Sequence, residues 1–292
     1  MSDDRSYLPA ILWVLLSTFI WALIFAAAKF TDGRIGVFQI TFLRYLGAFV
    51  VLLVFLSRQG GPRANISHQP GVHFARALCG CGAAVAITWA SANMPLVDAT
   101  AIGMAFGVLT MLLGAVFLKE VVSAAHWRAV VIALSGVALI MVSKGAFQSK
   151  FSFLPALVAF VSALLFAIEG LLIALLGRAE KAYTVMLYVT FFGFCLMTLP
   201  AIFGWQALPW QAFVLCILLG PAGLVAQYCT IRGYRSAPLS VVAPVDYSWL
   251  VFSALIGIVF FNEWPSAMTL LGCSAILMGG VLLVRLRRAP QG

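Results

Sequence analysis

Residues 236–266 read SAPLSVVAPVDYSWLVFSALIGIVFFNEWPS, and residues 93–123 read NMPLVDATAIGMAFGVLTMLLGAVFLKEVVS. Offset by 143 positions, the two share Pro95/Pro238, Leu96/Leu239, Val108/Val251, Leu112/Leu255, Gly114/Gly257, Phe117/Phe260, Glu120/Glu263 and Ser123/Ser266. The register runs on without a gap to Gly136/Gly279 and Leu139/Leu282. Upstream the match is weaker but continues, with Gly80 against Gly223 and, at an offset of 145, Ser17 against Ser162 and Ala22 against Ala167. Two apolar segments coincide by chance at Leu and Val, much less often in order at Pro, Gly, Glu and Ser. The chain therefore reads as one unit written twice, over 1–145 and 146–292.

What the unit is follows from composition. Of the 292 residues 63% are hydrophobic and only 9% charged, against about 25% charged in soluble domains, and the mean hydropathy is +1.07. A bilayer core takes about 20 apolar residues per helix. Runs of that kind, broken at Lys, Arg, Asp, Gly and Pro clusters, predict ten spans at 8–28, 37–57, 74–92, 97–118, 126–143, 153–176, 183–203, 210–231, 239–261 and 267–284. Their continuity, with no period of two, excludes an outer-membrane barrel. The first run lacks a basic leader region and a small-residue cleavage site, so it is expected to stay as an anchor.

Five spans per half is an odd number, so the second half enters from the opposite side of the membrane. The expected fold is all-α: ten transmembrane helices as an inverted repeat of two five-helix halves around a central cavity. That architecture is characteristic of secondary transporters, which hold solute near the midplane; on this evidence alone a channel is the alternative. With the N-terminus in the cytoplasm, thirteen of the 18 Lys and Arg fall on the cytoplasmic side, Arg76 among them. The net charge of +9 is thus explained by the positive-inside bias and does not call for nucleic acid. Both termini are expected in the cytoplasm. Six Cys lie within spans and three His in or near loops, which gives neither a disulfide framework nor a metal site.

The stretches 87–142 (ITWASANMPLVDATAIGMAFGVLTMLLGAVFLKEVVSAAHWRAVVIALSGVALIMV) and 230–284 (TIRGYRSAPLSVVAPVDYSWLVFSALIGIVFFNEWPSAMTLLGCSAILMGGVLLV) resemble the two EamA-type repeats of the drug/metabolite transporter superfamily. The shared marks are a small residue with Pro-Leu before a long helix, a Glu at that helix's end and a Gly-rich helix after it. WALIFAAAKF (21–30) and FQITFLRYLGAF (38–49) are similar to that family's first two helices. Ala101 stands where the second half has Pro244, and Leu118-Lys119 and Phe261-Asn262 precede the Glu residues where the family often has Gly. The resemblance implies a multi-pass carrier of the bacterial inner membrane with no ATPase and no cofactor, exporting aromatic or other neutral amino acids. Transporters of another solute, such as a purine-like or cationic metabolite of the S-adenosylmethionine type, share the frame.

The repeat also sorts candidate residues. Glu120 and Glu263 occur in both halves and, with Ser123 and Ser266 three residues later, suit helix capping. Asp246 and Glu169 do not recur: Asp246 faces Gly103 in the alignment, about 12 Å into its span at 1.5 Å per residue. An unpaired carboxylate at membrane depth costs about 2.5–3.5 kcal/mol, so Asp246 is expected on a cavity-lining face with Trp249 and Ser253. Pro244 frees the Ser240 carbonyl and is the expected helix hinge. Glu169, in a stripe with Ser162 and Phe166, could bind a substrate ammonium, carry a coupling proton or pair with Arg44 or a loop cation. Arg44, about 10 Å deep, could hold a substrate carboxylate or bridge to Asp98. Trp21, Trp89, Trp249 and Gln227 complete the substrate-binding candidates as aromatic walls and a polar contact.

An intramembrane enzyme would need a nucleophile and base or a metal set; HExxH, GxSxG and facing paired aspartates are absent from the sequence. The expected partners are a small-molecule substrate, the lipid bilayer and protons as coupling ion.

Overall fold

The computed structural model describes residues 7–31, 35–56, 58, 61, 65–117, 124–143, 153–177, 180–236 and 245–286. Within them the chain forms helices and no strand: α1 (Leu8–Phe30), α2 (Val37–Leu56), α3 (Pro70–Asn93), α4 (Leu96–Gly103), α5 (Phe106–Phe117), α6 (Ala124–Ser143), α7 (Leu154–Gly177), α8 (Ala182–Phe203), α9 (Trp210–Ser236), α10 (Ser248–Phe261) and α11 (Ala267–Leu286). Six of these, α1, α2, α3, α7, α8 and α9, are long and apolar enough to cross a membrane. Shorter apolar helices run over Leu96–Thr110, Trp127–Ile140, Ser248–Phe261 and Ala267–Leu282. Leu12, Val54, Leu199, Phe203, Val259 and Leu271 leave their apolar side chains exposed on the outside of the bundle, where lipid, having no hydrogen bonds to offer, favours such a surface.

The sequence predicts one continuous span over 97–118; the structure kinks it between α4 and α5. Met104 N donates to Thr100 O, Ala105 N reaches back only three residues to Ile102 O at 3.1 Å, and Gly107 N lies 3.4 Å from Met104 O. That tightening turns the axis without a proline, since position 101 is Ala. The second half does the same at the aligned residue: Met104 has φ −64°, ψ −10° and Tyr247 has φ −66°, ψ −10°. Pro244, the expected hinge, lies outside the described residues.

Helix contacts come in pairs. α1 packs on α9 as α7 packs on α3; α2 packs on α9 as α8 packs on α3; α1 packs on α10 as α7 packs on α4. The reciprocity extends to atoms. Ser17 Oγ donates to Ala226 O at 2.8 Å, and Ser162 Oγ donates to Ala83 O at 2.9 Å; 83 and 226 are themselves 143 apart. Where α6 meets α11, a side chain at Gly136 would lie 2.5 Å from Gly272 O and one at Gly279 would lie 2.7 Å from Ala129 O. Those are again aligned positions, so the glycine requirement that the sequence shows twice is a single close helix crossing seen from both sides.

A third close approach positions the site. Gly47 of α2 and Gly220 of α9 face each other, Gly47 against the carbonyl of Ile217 and Gly220 against the backbone of Arg44 and Ala48. Pro221 inside α9 has no N–H, so the carbonyl four residues back, that of Ile217, is released from its ladder bond. It lies against Gly47, the one residue type that lets backbone approach so closely.

Candidate functional site

Between α1, α2, α3, α7, α8, α9 and the start of α10 lies a cavity of about 480 Å³, within the range of small-molecule sites. Trp21, Arg44, Glu169, Gln227, Asp246 and Trp249 all line it. Trp89 does not. It sits towards the end of α3, where its carbonyl accepts from Asn93 Nδ2. Ser253, expected on one face with Asp246 and Trp249, is fully buried away from the cavity and accepts from Thr100 Oγ1 at 2.9 Å, tying α10 to α4.

One wall is aromatic. Phe25 is stacked with Trp21 (5.5 Å between centroids, 17°), tilted against Trp249 (5.4 Å) and edge-on to Phe166 (6.1 Å). Offset and edge-on rings at these separations attract beyond simple burial. Trp249 Nε1 is buried and has no acceptor among the described residues. A polar seam runs along α1: Ser17 is 2.6 Å from Thr230 Oγ1, and Thr18 is 2.7 Å from Ser248 Oγ.

Charged side chains reach the cavity from α2, α3 and α7. Arg44 lies over the ring of Tyr45 at 4.7 Å and makes no ion pair among the described residues. The alternative expected for it, a bridge to Asp98, is not what forms: Asp98 is buried on α4 and accepts from Thr269 Oγ1 at 2.6 Å. Glu169 instead faces Arg76, Nε to Oε1 at 3.5 Å, with Glu169 15% and Arg76 3% exposed. Arg76, counted from the sequence among the cytoplasmic charges although it falls just inside the span predicted from 74, is buried in α3. That helix begins at Pro70, which puts Arg76 about 9 Å along it. Its Nη1 donates to Val185 O at 3.1 Å, while Nε finds no well-aligned acceptor. Gly80 permits this arrangement, since a side chain there would come within 2.9 Å of the Glu169 carboxyl.

A polar knot lies towards either end of the bundle. At one, Glu263 pairs with Lys29 and its second oxygen accepts from Leu96 N at 3.0 Å; Lys29 also donates to Met94 O at 2.9 Å. Glu263 is thus a capping group, as its recurrence suggested, but it caps α4 of the other half. The helix after it, α11, is capped by Ser266, whose Oγ accepts from Thr269 N at 3.1 Å. Glu120 and Ser123 lie outside the described residues. At the opposite end His73, expected near a loop, is fully buried in α3, stacked on Tyr188 and 2.8 Å from Glu180 Oε2. Burial pushes the Glu180 carboxyl upward, but hydrogen bonds from Ser67 and His73 outweigh it and hold the carboxyl below its ordinary value.

Sequence reasoning missed Arg76, Tyr45, Thr18 and Pro221. Pro221 was legible, as a proline within a span; Arg76 was a charge at the edge of a predicted span, counted for orientation and not as a cavity residue. Among the described residues no group of His, Cys, Asp and Glu could hold a metal ion.

Comparison with known proteins agrees with this carrier-like layout. The EamA-like transporter family matches residues 8–142 and again 153–285. An S-adenosylmethionine uptake transporter of Rickettsia bellii is 24% identical over 285 residues, 96% of this chain and 94% of that protein. A probable terminal-alkyne amino-acid exporter of Streptantibioticus cattleyicolor is 27% identical over 285 residues, 94% of this chain and 93% of the other. One solved crystal structure superposes with a TM-score of 0.65 at 20% identity, over 100% of this chain and 99% of that one.

Proposed function

We propose that this chain, which belongs to the EamA-like transporter family and is a multi-pass membrane transporter, not an enzyme, exports aromatic or other neutral amino acids by alternating access. The observation that carries the reading is the cavity itself. A zwitterion needs a cation for its carboxylate, an anion for its ammonium and an apolar wall for its side chain. Arg44, free of an ion pair among the described residues, suits the first; Asp246 suits the second, with Glu169 as the other acid on the wall and Gln227 as a neutral polar contact; Trp21, Phe25 and Trp249 suit the third. A guanidinium meets a carboxylate bidentately, with direction as well as strength.

The ten-span inverted repeat, with halves 1–145 and 146–292, belongs to the same proposal. It is supported by the reciprocal contacts of Ser17 and Ser162 and of Gly136 and Gly279, and by the matched kinks at Met104 and Tyr247. Pro244 is its candidate hinge in the second half. The bias of basic residues supports cytoplasmic termini in a bacterial inner membrane, and the two cavity acids make protons the candidate coupling ion.

A second reading draws on the Rickettsia relative: the cargo is a larger metabolite such as S-adenosylmethionine. That solute carries the same amino-acid head group and would place its adenine on the aromatic wall. Counterflow in proteoliposomes separates the two. Labelled phenylalanine is expected to enter vesicles preloaded with unlabelled phenylalanine, and Arg44→Gln and Asp246→Asn are expected to abolish the exchange with the protein still monodisperse. Exchange only with S-adenosylmethionine would move the assignment to the second reading; exchange with neither would sink both.

A further inference from the structure

The Arg76–Glu169 pair is oddly made for a structural salt bridge. Both residues are on the cavity wall, yet they meet at 3.5 Å, and the Nε of a nearly fully buried arginine is left without an aligned acceptor. A buried guanidinium with an unmade hydrogen bond is costly. Arg44 lines the same cavity without an ion pair among the described residues, so Glu169 engages one of the two guanidinium groups on this wall, and that one loosely. The hollow that receives it is built for it, because Gly80 leaves open the space that any side chain would take from the carboxyl group. At the aligned place in the other half, Gly223 faces Ile24 and Trp21 at 3.8–3.9 Å in ordinary contact, so the fold does not need a charge there.

We infer that Glu169 is a resident stand-in for the substrate's carboxylate: in the empty carrier it pairs with Arg76, which shares the cavity wall with the unpaired Arg44, and a carboxylate-bearing solute binds by displacing it. The inference rests on the cavity being the substrate site, but not on the cargo being an amino acid. It makes the ligand class a carboxylate, gives Arg76 a part in recognition and removes Glu169 from the ammonium end of the site, which stays with Asp246.

The test uses two fragments that divide a zwitterion: 3-phenylpropionate, a carboxylate without an ammonium, and 2-phenylethylamine, an ammonium without a carboxylate. Their Kd values are measured by calorimetry on the full-length protein in detergent. Removing the competitor with Glu169→Gln is expected to tighten 3-phenylpropionate about tenfold, the gain for a site that its own carboxylate fills nine-tenths of the time, and to leave 2-phenylethylamine unchanged. The double variant Arg76→Gln/Glu169→Gln should lose the gain. Gly80→Ala, whose new methyl group crowds the carboxyl out of its hollow, should tighten 3-phenylpropionate without touching either charge, and it serves where Glu169→Gln does not fold. Unchanged or weaker binding of 3-phenylpropionate in both single variants overturns the proposal, as does no binding of it to any of the proteins. Loss of 2-phenylethylamine binding in Glu169→Gln overturns it too, by making Glu169 an ammonium ligand. Phenylalanine counterflow decides the cargo separately, so a carrier of some other carboxylate would fail that assay and pass this one.

Discussion

Helices α1 and α7 stand at aligned places in the two halves, and they differ where it matters. Ser17 and Ser162 make the same hydrogen bond to aligned carbonyls on α9 and α3. Trp21 and Phe166 present an aromatic ring to the cavity from the next turn. One turn further, Ile24 packs near Gly223 while Glu169 fills the hollow over Gly80. Its partner differs in step, since the position aligned with Arg76 is Leu219. A second exchange lies further out: the polar contact of His73 with Glu180 stands where the other half has Cys216 packed with Ile35 and Val37. The frame is duplicated, whereas the charges of Arg76 and Glu169 on the cavity wall are not, so the frame does not require them.

The comparison breaks most severely if one charge alone is made symmetric. Glu169→Ile leaves Arg76 buried without its partner and is expected to cost about 3–5 kcal/mol, read as a lower melting temperature in detergent. Adding Arg76→Leu should return stability to near the wild-type value, because a well-packed apolar pair replaces a buried ion pair at little or no cost, while transport stays lost. Recovery of transport in that double variant would show that the asymmetry is idle.

Next in size is the shared frame. Gly136→Val and Gly279→Val each push a side chain into the facing helix and should destabilise by about 1–3 kcal/mol, equally in the two halves. An effect confined to one of them would mean that the α6–α11 crossing is not reciprocal in the membrane.

Smaller again are Ser17→Ala and Ser162→Ala, each removing one hydrogen bond worth about 1 kcal/mol. Paired melting curves should shift by matching amounts. A much larger loss at Ser17 would reflect its second partner, Thr230.

The smallest expected effect belongs to Glu180, whose protonated form can still hydrogen-bond. Its carboxyl is held below the ordinary value of 4.5, so its contribution is complete above that pH and fades as pH falls through the lowered value. Melting temperature followed against pH should drop on that acid limb in the wild type and flatten in Glu180→Gln.

Much of this was legible in the sequence because the repeat is written in residues whose backbone roles leave little choice. Gly136 and Gly279 announce a close crossing, and Glu263 with Ser266 announces caps. Unmirrored Asp246 and Glu169 announce a polar interior. What escaped depended on where a helix begins and what lies across from it. Arg76, at the edge of the predicted span, becomes cavity wall because α3 starts at Pro70 and packs on α7. Trp89 carries the same chemistry as Trp21 but faces elsewhere, a matter of helix rotation that composition does not encode. In place of an Asp98–Arg44 bridge, Asp98 accepts from Thr269, far along the chain.

Glu263 holds Lys29 with one oxygen and the Leu96 amide with the other. The ion pair that ties α10 to α1 is therefore also what keeps the first peptide hydrogen of α4 from water. Local opening of that end and fraying of that helix are then one event, and amide exchange reports such events individually. Deuterium uptake at Leu96 would thus serve as a clock for the transport cycle: slow whenever this end is shut, fast whenever it parts, with no probe attached to the protein.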